Sequence, residues 1–292
     1  MGSPRRREVP MILVTGAAGK TGRAAIRALS ARGQAVRALV HRPEQAPIAV
    51  ASGAQEAVAG DLRDQDAVNQ AARGVRAVYH ICPNMRPDEG AIAQIAMNAA
   101  RAAGVEHFVF HSVLHPQTEA MPHHWHKLRV EEQLFESGLP FTILQPAAYM
   151  QNLLAYWDRI VQDGVYAVPY AVETRLGMVD LEDVATAAAI VLTEPGHTGA
   201  IYELAGAEAL SQTEIAAILE QHLGRPVRAE AIPLDAWERG ARGAGLGEYQ
   251  VQSLLAMFRY YERHGFWGNP HVLGWLLGRR PATLAAFVER TA

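Results

Sequence analysis

The chain has 292 residues, which is enough for one large domain or for a domain with a smaller lobe. A chain of this length buries about three quarters of its extended surface, so its core needs no disulfide and no metal. The formal net charge is −3 and no basic stripe dominates, which argues against tight binding to a nucleic-acid backbone. The single cysteine, Cys82, has no partner for an internal disulfide and is typical of a reducing compartment.

The first ten residues, MGSPRRREVP, resemble a targeting signal only in their three arginines. The arginines lead into MILVTG, which is far shorter than the apolar run of a secretory signal. No apolar stretch approaches the ~18 residues that a membrane-spanning helix requires. We therefore expect a disordered leader over residues 1–10 of a cytoplasmic protein that does not associate with a membrane.

Short apolar runs alternate with amphipathic segments over the first half of the chain. Strands are predicted at residues 11–16, 35–40, 55–60, 76–81, 107–112 and 141–146. Helices are predicted between them at residues 24–33, 44–52, 64–74, 89–104 and 126–138. This alternation predicts an α/β fold with a parallel sheet that helices cover on both faces, joined by right-handed crossovers.

The strict alternation stops near residue 150. A helix at 180–192, with Asp180 as its N-cap, and a strand at 199–206 are assigned back to the sheet domain. The other segments, which include a helix at 211–224, are expected to form a small lobe over one end of the sheet. The predicted division places residues 11–150 and about 178–206 in the sheet domain, and about 151–177 and 207–292 in a mainly helical C-terminal lobe.

The most specific motif is a glycine-rich turn, VTGAAGKTGRAA, at residues 14–25. Gly16, Gly19 and Gly22 lie three residues apart between the first strand and the first helix, which is the context of a dinucleotide site. Gly16 permits the tight turn, Gly19 lets a pyrophosphate approach the backbone, and Gly22 lets the helix pack on the strand. The helix N-terminus adds free N–H groups and partial positive charge. The alternative is a glycine-rich turn that binds no ligand.

The residues after the second strand favour one dinucleotide over another. An NAD site usually has a carboxylate there for the ribose hydroxyls, whereas this chain has His41 and Arg42. A guanidinium can fork around a phosphate, which favours NADP, although Arg42 could also be only a solvated surface residue. Asp61, in AGDL after the third strand, could reach the adenine.

Six motifs extend this pattern along nearly the whole chain: VTGAAGKTG, AGDL, HKLRVEE, SGLPFTILQPAAYMQN, VDLEDVA and GRRPATLAAFV. In this order they make the chain resemble the NmrA-like branch of the atypical short-chain dehydrogenase/reductase superfamily. The resemblance implies a Rossmann-type, doubly wound parallel sheet, an NADP(H) site, and a small C-terminal lobe that forms a substrate cleft. NAD(H) is the less favoured cofactor.

The resemblance also implies roles for individual residues. The implied pyrophosphate contacts are Gly16, Gly19, Lys20 and Thr21, and the implied 2′-phosphate contacts are Arg42 and His41. The implied neighbours of the rest of the cofactor are Asp61 and Leu62 near the adenine, Ile81 and Cys82 at the end of the fourth strand, and Lys127 near the nicotinamide ribose. Ser112 occupies the place of the superfamily's catalytic serine.

Two departures from the family pattern stand out. His41 takes the position directly after the second strand where the family commonly has arginine, and Arg42 follows one place later. Gln145 and Ala147, in LQPA, stand where members often have the arginine and glycine of LRPG. The hydrogen bonds around Gln145 and Ala147 therefore cannot be assigned from the family pattern.

The cluster PHHWHKLRVEE at residues 122–132 raises the question of a proton donor. Active short-chain dehydrogenases carry a tyrosine four residues before the lysine, and here His123 stands four residues before Lys127. His123 is therefore a candidate proton donor, since imidazole titrates near neutrality. Lys127 is a candidate cofactor ligand or proton shuttle. His123 and His126 have no HExxH motif or paired cysteines to support them, so no metal site is predicted.

Such a site suits an acceptor that needs little help from an acid. Quinones, iminium-like dyes and activated alkenes accept hydride readily because the product is already stabilised, so placement against the nicotinamide dominates. Tyr149, just past the sixth strand, is the candidate substrate contact. We expect an NAD(P)H-dependent reductase that transfers hydride to a small conjugated acceptor of the quinone, enone, imine or dye type.

A competing hypothesis comes from a different class of protein. Because the tyrosine is missing, the chain could be a non-catalytic NADP(H)-sensing regulatory protein that acts through a protein partner. Lys127 and a plausible pocket favour the reductase. A methyltransferase on a Rossmann-like sheet is disfavoured by the basic pair at 41–42. The reductase needs a small-molecule substrate and no nucleic acid, and the sequence is compatible with a homodimer.

Overall fold

A computed structural model describes residues 11–291 of the chain. The leader predicted at residues 1–10 lies outside the described residues. Among the residues that are described, no helix combines the length and the apolar character needed to cross a bilayer.

The strands have the following bounds: β1 Met11–Val14, β2 Val36–Val40, β3 Glu56–Ala59, β4 Val75–His80, β5 His107–His111, β6 Phe141–Pro146, β7 Ala148–Tyr149, β8 Val165–Val168, β9 Arg175–Val179, β10 Ile201–Leu204, β11 Ala209–Ser211 and β12 Arg228–Ala231. The helices are α1 Lys20–Ala31, α2 Ala46–Ala51, α3 Gln65–Ala72, α4 Glu89–Ala102, α5 Pro122–Glu136, α6 Trp157–Asp163, α7 Leu181–Thr193, α8 Gln212–Leu223, α9 Leu234–Gly243, α10 Glu248–His264, α11 Pro270–Leu277 and α12 Leu284–Thr291. Two 3₁₀ segments are Pro43–Gln45 and Met150–Tyr156.

A seven-stranded sheet with the order β3-β2-β1-β4-β5-β6-β10 forms the centre of the protein. All six neighbouring pairs in it are parallel. The strand order reverses between β1 and β4, and the carboxyl ends of these two strands border a crevice in which open α/β sheets bind their ligands. The predicted fold, a Rossmann-type doubly wound parallel sheet, is confirmed.

Helices cover both faces of this sheet because its strands are apolar on both sides. In β1, Ile12 and Val14 pack into the core that contains residues of α1 and α7. Leu13, between them, points the other way into the core formed with α3, α4 and α5. Successive side chains of a strand alternate between faces, so an uninterrupted apolar run is buried only in a doubly covered sheet.

The C-terminal region is mainly helical, as predicted, and short strands that were not predicted accompany its helices. β7, β9 and β11 form one small sheet, and β8 pairs with β12 in another. These strands have two to five residues each, too short to show a periodic pattern in the sequence. They pack with α8 and α12 around a separate apolar core. The division of the chain into a sheet domain and a lobe stays a prediction.

Two helices begin four residues before their predicted starts. α1 begins at Lys20 rather than at residue 24, directly after the glycine loop, with Gly19 as its N-cap. α5 begins at Pro122 rather than at residue 126, and proline is well suited to the first position of a helix because its missing N–H would have no partner there. His123 and Lys127 therefore lie on one continuous helix, one turn apart.

Candidate active site

The glycine loop, residues 16–22, is packed too closely for larger side chains at two positions. Gly16 has a φ of +59°, and a Cβ added there would lie 2.8 Å from the carbonyl oxygen of Ile81. A Cβ on Gly22 would lie 2.5 Å from the Gly16 carbonyl oxygen and 2.7 Å from Ala17 Cα. Gly16 thus makes the turn, and Gly22 lets α1 approach the loop, as the motif predicts.

The beginning of α1 is open to an anion. Gly19 is its N-cap, no side chain caps the first turn, and the first turn contains no acidic residue. A Cβ on Gly19 would meet only the Gly16 carbonyl oxygen, at 3.2 Å, so the outer side of the loop is clear. Free N–H groups and the partial positive charge of a helix N-terminus suit a diphosphate, so the loop fits a dinucleotide cofactor.

Lys20 and Thr21 connect this loop to the segment that follows β6. The Lys20 ammonium donates to Asn152 Oδ1 at 2.7 Å and lies 5.3 Å from the ring centroid of Tyr149. Burial lowers the pKa of Lys20 from its ordinary value. Thr21, the next residue, is half-buried, and its hydroxyl lowers the pKa of Tyr149 against the larger effect of burial. The sequence motif therefore extends in space to Asn152, which sequence reasoning did not single out.

The residues predicted around the adenine and its ribose lie past the ends of β2 and β3. The side chains of His41 and Arg42 are exposed, while Leu62 is buried. Asp61 is engaged by Arg63, whose Nη2 donates to Asp61 Oδ2 at 2.5 Å. This ion pair holds the pKa of the Asp61 carboxyl well below its usual range. Asp61 is therefore already paired with Arg63, and its contact with the adenine stays a prediction.

Ile81 and Cys82 follow β4 and close the inner side of the glycine loop. The Ile81 carbonyl is the group that a Cβ on Gly16 would strike, and the Ile81 N–H donates to Thr15 Oγ1 at 2.8 Å. Cys82 is buried, and burial raises the pKa of its thiol to about 12. The thiol is therefore protonated at neutral pH and acts as an apolar wall rather than as a nucleophile.

Lys127 is held at the carboxyl end of β5 by a buried ion pair. Its Nζ donates to Glu89 Oε1 at 2.6 Å and to the His111 carbonyl oxygen at 3.2 Å. The side chains of Lys127 and Glu89 are 12% and 2% exposed. Two acceptors and little solvent fix the direction of the ammonium. Sequence reasoning missed Glu89. The only feature that could have indicated it is its acidic side chain at the start of the helix after the fourth strand.

Ser112 belongs to a buried hydrogen-bonded group one turn beyond Lys127. Its hydroxyl donates to the carboxyl of Glu131, and Gln145 Nε2 donates to both Glu131 oxygens at 3.0 Å. Burial raises the pKa of Glu131. Gln145, one of the departures from the family pattern, thus has a defined partner. Glu131 lies four residues after Lys127, a spacing that places both on one helix face.

The histidines of α5 are more buried than a surface cluster would be. His123 Nδ1 has no hydrogen-bond partner among residues 11–291, and burial, with the nearby charge of Lys127, lowers the pKa of His123 to about 4. Burial therefore favours a neutral His123 ring at pH 7, and the role of His123 as a proton donor stays a prediction. No group of three or more His, Cys, Asp or Glu side chains in the described part of the chain could hold a metal ion.

A second histidine, His111, connects two tyrosines. His111 Nδ1 lies 2.6 Å from the Tyr79 hydroxyl, and His111 Nε2 lies 2.6 Å from the Tyr149 hydroxyl. Burial lowers the pKa of His111 to about 3, with Lys127 adding to the effect. Burial raises the pKa of Tyr149 to about 12, opposed by the hydroxyl of Thr21. The predicted substrate contact is thus part of a buried polar group.

A cavity of about 370 Å³ lies in the lobe, past the ends of β8 and β12. Its lining includes Tyr170, Pro233 and Glu262. None of the residues predicted for the site lines this cavity, so the glycine loop and Tyr149 define the candidate site instead.

The buried histidines predict that acid destabilises the protein. His80, His111 and His124 each have a pKa lowered to about 3 by burial, against an ordinary value near 6.5. The unfolded chain binds more protons between these values, so stability rises with pH through this window and is lost as pH falls. From pH 7 to pH 5 we expect a loss of about 2 kcal/mol for each histidine, offset in part by Glu131, whose raised pKa acts in the opposite direction.

Urea unfolding at pH 7, 6 and 5 measures this dependence. The variant His124→Phe removes one of these titrating histidines and should make the pH dependence shallower. A free energy of unfolding that is constant or increases as pH falls from 7 to 5 would contradict the neutral state assigned to these rings.

Comparison with known proteins agrees with this geometry. The family model described as the NmrA-like family matches residues 9–286. The chain is 32% identical over 284 residues to NAD(P)H azoreductase from Xenophilus azovorans, covering 97% of this chain and 98% of that protein. It is 36% identical over 256 residues to (4-alkanoyl-5-oxo-2,5-dihydrofuran-3-yl)methyl phosphate reductase from Streptomyces griseus, covering 87% and 86%.

A solved structure is similar over the same extent. The NADPH-dependent quinone oxidoreductase from Escherichia coli, crystallised with NADPH, superposes with a TM-score of 0.84 at 28% identity, covering 96% of this chain and 99% of that one. The chain therefore belongs to the NmrA-like family, as its motifs predict.

Proposed function

We propose that this protein is an NADPH-dependent reductase that transfers hydride to a small conjugated acceptor of the quinone, enone, imine or dye type. The observation that carries the proposal is an uncapped, glycine-built helix N-terminus at the same sheet edge as the buried Lys127. The relatives point in the same direction, since their names specify reduction of an azo compound, a dihydrofuranone phosphate and a quinone. Each of these acceptors has conjugated multiple bonds.

The cofactor of this reductase is NADP(H), which supplies the hydride. The N–H groups of the glycine loop, with Lys20 and Thr21, hold the diphosphate. Arg42 and His41, exposed past β2 where no carboxylate stands, hold the 2′-phosphate. The apolar wall of Ile81 excludes water from the inner side of the loop.

The remaining polar groups position the reactants. Lys127 presents a fixed ammonium to the ribose hydroxyls because Glu89 and the His111 carbonyl hold it in place. Glu131, with Ser112 and Gln145, anchors α5 to the ends of β5 and β6 and so fixes Lys127 from behind. Tyr149 borders the place where the acceptor binds. In such a site the rate depends mainly on holding the acceptor at near-attack distance.

Turnover is tested directly by mixing the purified protein with NADPH and a panel of quinones, azo dyes, enones and imines. We expect NADPH oxidation, followed at 340 nm, with at least one acceptor class. Lys127→Met keeps the length of the side chain but removes its charge, and should lower kcat/KM at least about tenfold. Arg129→Ala, on the exposed side of the same helix, is the control and should retain the rate.

Each alternative has its own outcome in this assay. NADPH binding without oxidation against every acceptor would replace the reductase with an NADP(H)-sensing protein. A Lys127→Met variant as active as Arg129→Ala would remove Lys127 from the site.

The choice of dinucleotide is tested at Arg42. Arg42→Ala removes the guanidinium assigned to the 2′-phosphate, so the affinity for NADPH should fall about tenfold while that for NADH stays the same. The control is Arg263→Ala, which removes an exposed arginine on α10. Fluorescence titration with both nucleotides gives the ratio of the NADPH affinity to the NADH affinity for each variant. Equal losses for NADPH and NADH at Arg42→Ala would show that this side chain does not read the 2′-phosphate.

A further inference from the structure

His111 is placed between two tyrosine hydroxyls that come from separate strands. Tyr79 lies on β4, His111 ends β5, and Tyr149 ends β7, so the three side chains converge at the carboxyl edge of the sheet. Both distances from the ring nitrogens to the hydroxyl oxygens are 2.6 Å. The arrangement is buried at the Tyr79 end, which is 0% exposed, and half-buried at the Tyr149 end.

Burial determines which group donates in each hydrogen bond. No other hydrogen-bond partner for the Tyr79 hydroxyl lies among residues 11–291, so its proton must go to His111 Nδ1. A neutral imidazole has one N–H, so the proton of His111 is then on Nε2 and is donated to the Tyr149 oxygen. The Tyr149 hydroxyl accepts from His111, and its own proton is free to point elsewhere.

The Tyr149 hydroxyl is also close to the predicted cofactor loop. The Lys20 ammonium lies 5.3 Å from the Tyr149 ring centroid, and the Thr21 hydroxyl is near enough to act on the Tyr149 hydroxyl. Lys127, at the position of the short-chain dehydrogenase lysine, lies on α5. Its Nζ donates to the His111 carbonyl oxygen. The Tyr149 side chain thus lies near Lys20 of the glycine loop and is bonded to His111 at the end of β5.

We propose that Tyr149 is the proton donor of this reductase, and that His111, held in its Nε2–H tautomer by Tyr79, is the positioning residue for Tyr149. The inference rests on the proposed reductase function and replaces the tyrosine that is missing four residues before Lys127. His123, the earlier candidate, is neutral and has no comparable partner network.

The chemical step balances as follows. The acceptor gains a hydride, with its two electrons, from the reduced cofactor, and gains a proton from Tyr149 Oη as that O–H bond breaks. The phenolate left on Tyr149 accepts the Nε2–H of His111, which stabilises its charge. Water reprotonates Tyr149 after the product leaves, since this side chain is partly exposed. Tyr79 keeps its proton throughout because its hydroxyl is fully buried, and burial raises its pKa well above the ordinary value.

The pKa of Tyr149 determines which acceptors need its proton during reduction. Burial raises the pKa of Tyr149 to about 12, so it protonates only product anions that are more basic than that. The nitrogen anion from an azo bond and the carbanion from an enone are strongly basic. The phenolate from a quinone has a pKa near that of an ordinary tyrosine, about 10, and can leave without the proton of Tyr149.

The test compares Tyr149→Phe with the unaltered protein on an azo dye and on a quinone. The rate with the azo dye should fall about 100-fold, the usual contribution of a general acid, and the rate with the quinone should fall much less, so the azo-to-quinone rate ratio should decrease. NADPH affinity from fluorescence titration should stay within about threefold. The control is Tyr166→Phe, which removes a buried hydroxyl bonded to Gln212 at 3.0 Å in the lobe and should keep both rates.

A second readout does not depend on turnover. Nitrogen-15 NMR of the histidines in the NADPH-bound protein should show His111 as the neutral Nε2–H tautomer. Tyr79→Phe removes the donor to Nδ1, so it should increase the Nδ1–H fraction and slow the azo reaction more than the quinone reaction. A purely structural role for Tyr79 would slow both reactions equally.

Each contrary outcome is specific. If none of the acceptors supports NADPH oxidation by the unaltered protein, the proposed function and this inference are both overturned. Turnover that Tyr149→Phe retains on the azo dye overturns the inference alone. So does an Nδ1–H tautomer of His111, or a loss of NADPH affinity in Tyr149→Phe that accounts for the lost rate.

Discussion

The site depends on the close approach of three backbone segments at residues 16–22. The beginning of α1, the turn after β1 and the residue that follows β4 meet so tightly that a single Cβ at Gly16 or Gly22 would collide with backbone atoms. This contact aims the N-terminus of α1 at the crevice and leaves its N–H groups uncapped. The strand order then brings the ends of β4, β5 and β6 beside the same crevice. Every proposed role follows from that arrangement.

Burial sets the protonation states around this loop. Lys127 and Glu89 form a buried ion pair held against β5. The imidazole of His111 is neutral because desolvation lowers its pKa. A neutral imidazole carries one N–H, and because the buried Tyr79 hydroxyl has no other acceptor, the proposed tautomer leaves the proton of Tyr149 free. The same desolvation that keeps the His111 ring neutral also lowers the free energy of unfolding in acid. Function and pH sensitivity thus have one physical origin.

Much of the fold was predictable because its signals are local. Apolar runs that alternate with amphipathic helices specify a doubly covered parallel sheet, and the glycine spacing identifies the loop. The lobe was less predictable because strands such as β8 and β11 are four and three residues long and depend on tertiary pairing. The early start of α5 at Pro122 was missed because apolar periodicity is weak there, although proline itself indicates a first helical position.

Only the site residues that belong to a recognisable sequence motif could be predicted. The contacts of Glu89 with Lys127, and of Tyr79 with His111, join residues more than 30 positions apart and leave no pattern in one sequence. One compositional signal was available: only two of the 27 basic residues are lysines, and both Lys20 and Lys127 are at the candidate site. The cofactor and substrate roles of the predicted residues stay predictions.

The central claim is that the glycine loop binds the diphosphate of a pyridine dinucleotide. Isothermal titration calorimetry of the purified chain with NADPH tests it most directly, with Gly22→Ala as the blocked loop and Gly240→Ala, where a Cβ meets nothing within 4 Å, as the matched control. The account predicts saturable binding well below millimolar concentrations for the unaltered chain and Gly240→Ala, and its loss in Gly22→Ala. Absence of binding of both NADPH and NADH to the unaltered chain, or equal binding by Gly22→Ala, would contradict it.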